Sequence, residues 1–325
     1  MKNFNLKIIF SSVLLHSIYS YSACVQNPNL RNIIVDVPAR TFSIQYDDMG
    51  SRDLETIRVN FKSSVTNTFS GEDGLCGNAY LHADYVNGWV PNGNKIVASN
   101  IPGISVQVKA AGIGALNTKY GPENTSEPWL WRIDNPYWTI IIKKTGQVTQ
   151  SNSLKSGHIG KMTQRNTVPN NSTWDISSLN IPANAIKINV VKCTTKSPSY
   201  TVNLGDRYDT QFKNIGDASA SVNIPITLSC AAGTNIKTTV TSSAGYADAS
   251  TGKINLSGAN SAKGVAIQLL DKNNTPIKLN VKNNLQNNVP NGNYIFNWKA
   301  RYIKISNNIT PGKANSTATV NIRYE

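Results

Sequence analysis

The eight residues Ala318-Thr319-Val320-Asn321-Ile322-Arg323-Tyr324-Glu325 alternate apolar and polar side chains up to the last position of the sequence. In an extended strand, successive side chains point to opposite faces, so Ala318, Val320, Ile322 and Tyr324 share one face. A strand of this kind is half-buried and has an edge that a neighbouring strand must complete. The stretch therefore predicts a β-protein whose last strand is a pairing surface.

Strand signals recur along the rest of the chain, whereas Asn, Gly, Ser and Thr interrupt every helical period within a few turns. Runs rich in β-branched and aromatic residues are separated by turn signals at positions 87–88, 92–93, 145–146 and 291–292. This pattern predicts an all-β fold of β-sandwich domains, with the Asn-rich passage Asn283–Asn293 as a long loop. The predicted strands are Thr56–Phe61, Gly103–Lys109, Thr139–Lys144, Ile186–Val191, Ser221–Leu228, Gly264–Leu270 and Tyr294–Ile305.

The first 22 residues have the pattern of an export signal. Lys2 and Lys7 carry positive charge, residues 6–15 form a short apolar run, and small residues follow. The run is too short to span a bilayer, so cleavage between Ser20 and Ala23 is expected. A lipoprotein signal is the weaker alternative, because it requires Leu or a similar residue where this sequence has Tyr21.

The charge of the chain is strongly positive but dispersed. The formal charge of +14 becomes +12 without Lys2 and Lys7, and +8 of it lies in Cys193–Glu325. The basic residues are scattered singly and no aromatic residues interleave with them, so a solvated surface is favoured over binding to nucleic acid.

The cysteines and tryptophans divide the chain into two halves. Cys24, Cys76, Cys193 and Cys230 suit an oxidising compartment, where three pairings are possible in principle. Clustering at the start of each half favours Cys24 with Cys76 and Cys193 with Cys230. Five of the six tryptophans precede the boundary near Val191. We therefore predict a signal peptide over 1–22 and domains over 23–191 and 192–325.

The second half carries a family resemblance. Its motifs are Thr201–Gly205, Phe212–Gly216, Ile224–Cys230, Gly264–Asp271, Lys299–Tyr302, Thr310-Pro311-Gly312 and the penultimate Tyr324. In this order, the motifs resemble those of chaperone–usher fimbrial subunits of the type 1 kind. The resemblance implies an immunoglobulin-like sandwich that lacks its seventh strand. A periplasmic chaperone and then a strand from the adjacent subunit would cover the resulting groove, during assembly at an outer-membrane usher. The residues expected to pair there are Gly312, Ala318, Val320, Ile322 and Tyr324.

The first half resembles the N-terminal domain of two-domain fimbrial tip adhesins, because about 170 residues lie between the expected cleavage site and Cys193. This implies a lectin-like domain ahead of an incomplete pilin domain, exported through the periplasm to the fimbrial tip. No N-terminal extension is then left to serve as a donor strand. The pocket of the mannose-binding member uses an Asn-Asp pair after the second cysteine. Here Gly77-Asn78-Ala79 follows Cys76, so mannose specificity is not supported.

Two polar and aromatic segments are candidate sugar sites, since sugars require carboxylate and amide groups together with an aromatic face. Core packing is the more common role of a single Trp, and alternation gives Tyr80, His82 and Asp84 a shared strand face. Arg132 could pair with an anionic sugar, although a surface ion pair is the commoner role. The candidate ligand-binding residues are Asn78, Tyr80, Asp84, Tyr85, Asn87, Trp89, Trp131, Arg132 and Asp134.

Enzymatic and metal-binding functions are not supported by the sequence. It has no Gly-x-Ser-x-Gly, His-Glu-x-x-His or phosphate-binding glycine loop, and only His82 and His158 follow the signal. We expect no metal and no cofactor. The leading hypothesis is a fimbrial tip adhesin that binds a host or surface glycan noncovalently. The alternative is a structural tip or initiator subunit without glycan binding.

Overall fold

The computed structural model describes residues 24–62, 66–70, 79–120, 132–167 and 171–325. These residues are almost entirely β-structure, which confirms the predicted fold class. The helical segments among them are two short 3-10 helices, Pro28–Leu30 and Asp209–Gln211. Within the described ranges no helix is both long and apolar enough to cross a membrane. The predicted signal peptide and Cys76, Asn78 and Trp131 lie outside the described residues.

Seventeen strands lie in the described ranges before residue 192. They are β1 (Val25–Gln26), β2 (Ile33–Asp36), β3 (Arg40–Gln45), β4 (Arg52–Asn60), β5 (Thr66–Asn67), β6 (Phe69–Ser70), β7 (Ala79–Tyr85), β8 (Val97–Ala98), β9 (Ile104–Ala110), β10 (Gly114–Ala115), β11 (Thr118–Tyr120), β12 (Arg132–Ile133), β13 (Tyr137–Lys144), β14 (Asn152–Ser153), β15 (Gly157–Asn166), β16 (Thr173–Ile181) and β17 (Ile186–Val191).

Eleven strands follow. They are β18 (Cys193–Thr195), β19 (Val222–Ile224), β20 (Thr227–Cys230), β21 (Thr234–Thr241), β22 (Tyr246–Asp248), β23 (Lys253–Ile254), β24 (Val265–Leu270), β25 (Lys282–Val289), β26 (Gly292–Ile295), β27 (Trp298–Lys304) and β28 (Thr319–Arg323). We refer to β28 as the terminal strand.

Most of the buried apolar residues that the structure describes fall into two separate core clusters. One contains residues between Cys24 and Ile188, and the other contains residues from Cys193 onward. We name the two parts of the chain the N-terminal unit (residues 24–191) and the C-terminal unit (residues 192–325). Each unit therefore has its own apolar core, and each can be described from the residues that build it.

Two main sheets enclose the core of the N-terminal unit. Their strand orders are β10-β9-β13-β4 and β11-β7-β15-β16-β2. Trp138 on β13 is fully buried, and its indole N–H donates to Ser177 Oγ on β16 at 2.9 Å. The large ring and this hydrogen bond link the two sheets through the core. β3 and β17 run parallel, with Gln45 beside Val191, so the chain leaves this unit next to the end of β3.

The C-terminal unit consists of three sheets with strand orders β18-β20-β26, β19-β27-β24-β23-β22 and β25-β21-β28. Cys193 and Cys230 lie opposite each other on β18 and β20 and form a disulfide, as predicted. Cys24 also takes part in a disulfide. The structure splits two predicted strands, one near Pro225 and the other near Asn297, which has a φ of +55°. Proline lacks an amide donor and a positive φ interrupts a strand, so both breaks have a local cause.

The prediction of a long loop over Asn283–Asn293 was wrong. Strands β25 and β26 fill most of this passage. β25 pairs with β21, Val289 is fully buried, and Leu285 packs against the C-terminal core. Pairing with a neighbouring strand therefore outweighs the poor β-propensity of asparagine.

Candidate functional site

The terminal strand has one strand neighbour in the part of the chain that the structure describes. It runs antiparallel to β21, with Thr319 opposite Thr241 and Arg323 opposite Lys237. β25 lies on the far side of β21, so the terminal strand is at the edge of its sheet within the described part of the chain. A sheet edge of this kind presents backbone donors and acceptors to an incoming strand.

The inward face of the terminal strand is apolar and only half-covered. Ala318, Val320, Ile322 and Tyr324 contact the C-terminal core, but all four remain partly exposed. Burial, together with the nearby carboxylate of Asp47, raises the pKa of the Tyr324 phenol. The outward residues of the strand are exposed. The alternation in the sequence therefore corresponds to a real division between an apolar face and a solvated face.

Gly312 has a structural reason to be glycine. A Cβ at this position would lie 2.7 Å from Ala262 N and from Asn260 O, which is too close for any side chain. Lys313 N–H also donates to Asn260 O at 2.8 Å, so the segment before the terminal strand lies tightly against residues 260–262. Gly312 thus fixes the path by which the chain reaches the terminal strand.

A second candidate surface lies on the exposed side of β7 in the N-terminal unit. Tyr80, His82 and Asp84 alternate with the buried residues of the strand and point to the same side. The Tyr80 and His82 rings are 5.5 Å apart between centroids, and His82 Nδ1 lies 3.1 Å from Asp84 Oδ2. An aromatic ring, an imidazole and a carboxylate are therefore adjacent on one face.

Residues from β15 and β16 extend this surface. On β15, Arg165 lies opposite Tyr80 and Lys161 lies opposite Asp84. The Lys161 ammonium is 2.8 Å from the Asp175 carboxylate on β16, and both side chains are about two-fifths exposed, at 36% and 43%. We name the set Tyr80, His82, Asp84, Lys161, Arg165 and Asp175 the β7–β15 face. All six residues of this set are at least partly exposed.

Two predicted contact residues point the other way. Tyr85 and Trp89 are buried, with 9% and 6% of their surfaces exposed. The Tyr85 hydroxyl donates to Lys95 O and accepts from Val108 N–H, both at 2.9 Å, and burial raises its pKa. Because alternation along β7 turns Tyr85 inward and Trp89 packs in the core, neither belongs to the β7–β15 face, contrary to our expectation.

The remaining candidates are dispersed. Asn87 is in the turn after β7, with a φ of +54°, and its side-chain amide donates to His158 O at 2.9 Å. Arg132 and Asp134 are exposed, and Arg132 lies on β12, which pairs with β5 rather than with β7. Among the described residues no group of three His, Cys, Asp or Glu side chains could hold a metal ion.

Comparison with known proteins gives a family match over the C-terminal part of the chain. The Fimbrial family model, described as fimbrial protein, matches residues 186–325. The uncharacterized fimbrial-like protein YdeS of Escherichia coli (strain K12) is 32% identical over 139 residues, which cover 41% of this chain and 79% of that protein.

Two solved structures share only low similarity with the chain. The receptor-binding domain of the adhesin MrkD1P of Klebsiella pneumoniae is 20% identical, and the match covers 56% of this chain and 99% of that domain with a TM-score of 0.38. The CupB6 tip adhesin of Pseudomonas aeruginosa is 13% identical, with 92% of each chain covered and a TM-score of 0.39. Family membership therefore rests on the sequence matches and not on these structures. By these matches, the chain belongs to the fimbrial protein family.

Proposed function

We propose that the chain is a fimbrial tip adhesin. In this proposal the C-terminal unit is anchored to the pilus by a strand from an adjacent subunit, after a periplasmic chaperone has covered the same edge and delivered the chain to an outer-membrane usher. The N-terminal unit then binds a host or surface glycan noncovalently. The observation that carries the proposal is the terminal strand, which has one strand neighbour among the described residues and a half-covered apolar face.

The physical argument for strand addition concerns both the backbone and the side chains. Backbone N–H and C=O groups that face an apolar groove cost about 1–3 kcal/mol each when they lack partners. Water can reach them only if the apolar side chains beside them stay exposed as well, and this exposure is also unfavourable. An added strand satisfies the backbone groups and covers the apolar face at the same time.

The two faces of the terminal strand provide a matched test. We expect Ile322→Asp to reduce recovery of the full chain in complex with a co-expressed fimbrial chaperone by about tenfold or more, because it places a charge in the apolar groove. Asn321→Asp places the same charge on the exposed face and should leave recovery unchanged. The measurement is affinity capture of the chaperone from periplasmic extract. Equal recovery of the two variants would contradict the proposed groove.

For the adhesive unit, the β7–β15 face is the proposed glycan surface. We expect Asp84→Ala to weaken glycan binding by about tenfold, since a hydrogen bond to a charged group contributes about 1.5–3 kcal/mol. Its thermal unfolding should change little because the Asp84 side chain is 44% exposed. Trp89→Ala should instead lower the free energy of unfolding by about 3–5 kcal/mol, as expected for a buried aromatic residue.

The measurement is a glycan array probed with the strand-complemented chain, meaning the full chain with a donor strand fused to it. Asp206→Ala, an exposed acidic residue in the C-terminal unit, is the control. If Asp84→Ala binds like the parent chain, the β7–β15 face is not the glycan surface. If the parent chain binds no glycan and adheres to no cell or matrix, the structural tip or initiator subunit becomes the better interpretation.

A further inference from the structure

The end of β3 and the turn that follows it contact the C-terminal unit. Gln45 Nε2 donates to Gly233 O at 2.8 Å, and Asn235 N–H donates to Gln45 Oε1 at 2.9 Å. The Lys192 ammonium lies 4.5 Å from the centre of the Tyr46 ring. The end of β3 is therefore joined to the C-terminal unit by two hydrogen bonds of the Gln45 side-chain amide and by a cation–π contact.

Asp47, the next residue, contacts the chain immediately after the terminal strand. Its N–H donates to Tyr324 O at 2.8 Å, and its carboxylate accepts from Tyr324 N–H at 2.9 Å. Arg323 Nη1 lies 3.5 Å from the same carboxylate. Both backbone hydrogen-bonding groups of Tyr324 are thus satisfied by one residue of the N-terminal unit.

The direction of these hydrogen bonds identifies the edge on which Asp47 lies. In a strand, the backbone groups of alternate residues point to the same edge. Val240 C=O accepts from Asn280 N–H, on the β25 side of β21, so the neighbours of Val240 direct their groups toward the terminal strand. Val320 and Ile322 therefore present their groups on the outer edge, which Tyr324 also uses to meet Asp47.

The turn that carries Asp47 is held firmly by the N-terminal unit. Lys144 is buried, and its ammonium donates to Asp48 O and Gly50 O, both at 2.6 Å. Gln147 Nε2 donates to Tyr46 O at 2.9 Å. The pKa of Asp48 is lowered in this turn. Burial on its own would raise this pKa, but the hydrogen bonds from Arg52 and the Gly50 amide, together with the charge of Lys144, outweigh it. The turn is therefore fixed at both ends and holds Asp47 rigidly in place.

We propose that Asp47 caps the outer edge of the terminal strand, so that a strand added by a chaperone or a subunit pairs with Val320 and Ile322 and ends there. At Tyr324, the next residue whose backbone groups face the outer edge, Asp47 of the N-terminal unit already makes the backbone hydrogen bonds. This inference rests on the proposed strand addition and adds its end point. A partner strand that extended past Ile322 would have to displace Asp47 and separate the two units at this contact.

Amide hydrogen exchange on the full chain, co-purified with a co-expressed fimbrial chaperone, tests the cap residue by residue. Asp47→Ala removes the acceptor of Tyr324 N–H, and we expect that amide to exchange about tenfold faster or more. Asp47→Asn keeps a side-chain oxygen and should retain most of the protection. Asp53→Ala, an exposed residue on β4 paired with Lys143, is the control and should change nothing.

The outcomes separate the cap from the strand addition on which it rests. Protection of Val320 and Ile322 in every variant, with protection of Tyr324 that depends on Asp47, supports the proposal. If Tyr324 is equally protected in Asp47→Ala, the cap is overturned, because the partner strand then pairs with Tyr324 itself. Rapid exchange at Val320 and Ile322 in the parent complex would instead overturn strand addition, whatever Tyr324 does.

Discussion

Replacing Lys144 with Met should lower the free energy of unfolding of the N-terminal unit by about 3 kcal/mol or more. Met fills a similar volume but cannot donate, so Asp48 O and Gly50 O lose the partner that now lies 2.6 Å from each. The Asp48 carboxylate also loses a cation 3.4 Å away. Buried acceptors without partners carry their full desolvation cost, which explains the size of the expected effect.

The neighbouring lysine is the matched control for this experiment. Lys143→Met removes an ion pair with the exposed Asp53 carboxylate, at 2.7 Å, and should cost less than about 1 kcal/mol. Both variants can be measured by denaturant unfolding of the strand-complemented chain, followed by tryptophan fluorescence. Five of the six tryptophans precede residue 192, so the signal reports mainly on the N-terminal unit. Similar losses for Lys143→Met and Lys144→Met would contradict the structural role of Lys144.

The terminal strand could be predicted because its signal is local. The alternation over Ala318–Glu325 gives both the strand and its buried face, and β28 lies within that stretch. Ile186–Val191 was likewise predicted with the bounds observed for β17. Where period-2 alternation coincides with a half-buried strand, the residues carry the information themselves.

The passage over 283–293 shows where local signals fail. Seven of the residues in the stretch from Asn283 to Asn293 are Asn or Gln, which disfavour strands in isolation. β25 nevertheless forms because β21 offers it a partner, and β21 lies some 45 residues earlier in the sequence. Such pairing between distant segments is a tertiary effect and is not visible in local composition.

The candidate surfaces could be predicted only in part. Alternation placed Tyr80, His82 and Asp84 on one face, and the same rule would have turned Tyr85 inward. Lys161 and Asp175 reach this face from β15 and β16, and Asp47 reaches the end of the terminal strand from 277 residues away. These contacts depend on the strand order and on how the two units meet, neither of which a single sequence specifies.

The central claim is that the terminal strand requires a partner, and its most direct test is the soluble periplasmic yield of the full chain. Expressed alone, the chain should aggregate or be degraded, because the apolar face and outer edge at Val320 and Ile322 remain open. Co-expression of a fimbrial chaperone, or fusion of a donor strand, should raise the yield by about tenfold or more. A well-folded, soluble monomer obtained in the same yield without either partner would contradict the account.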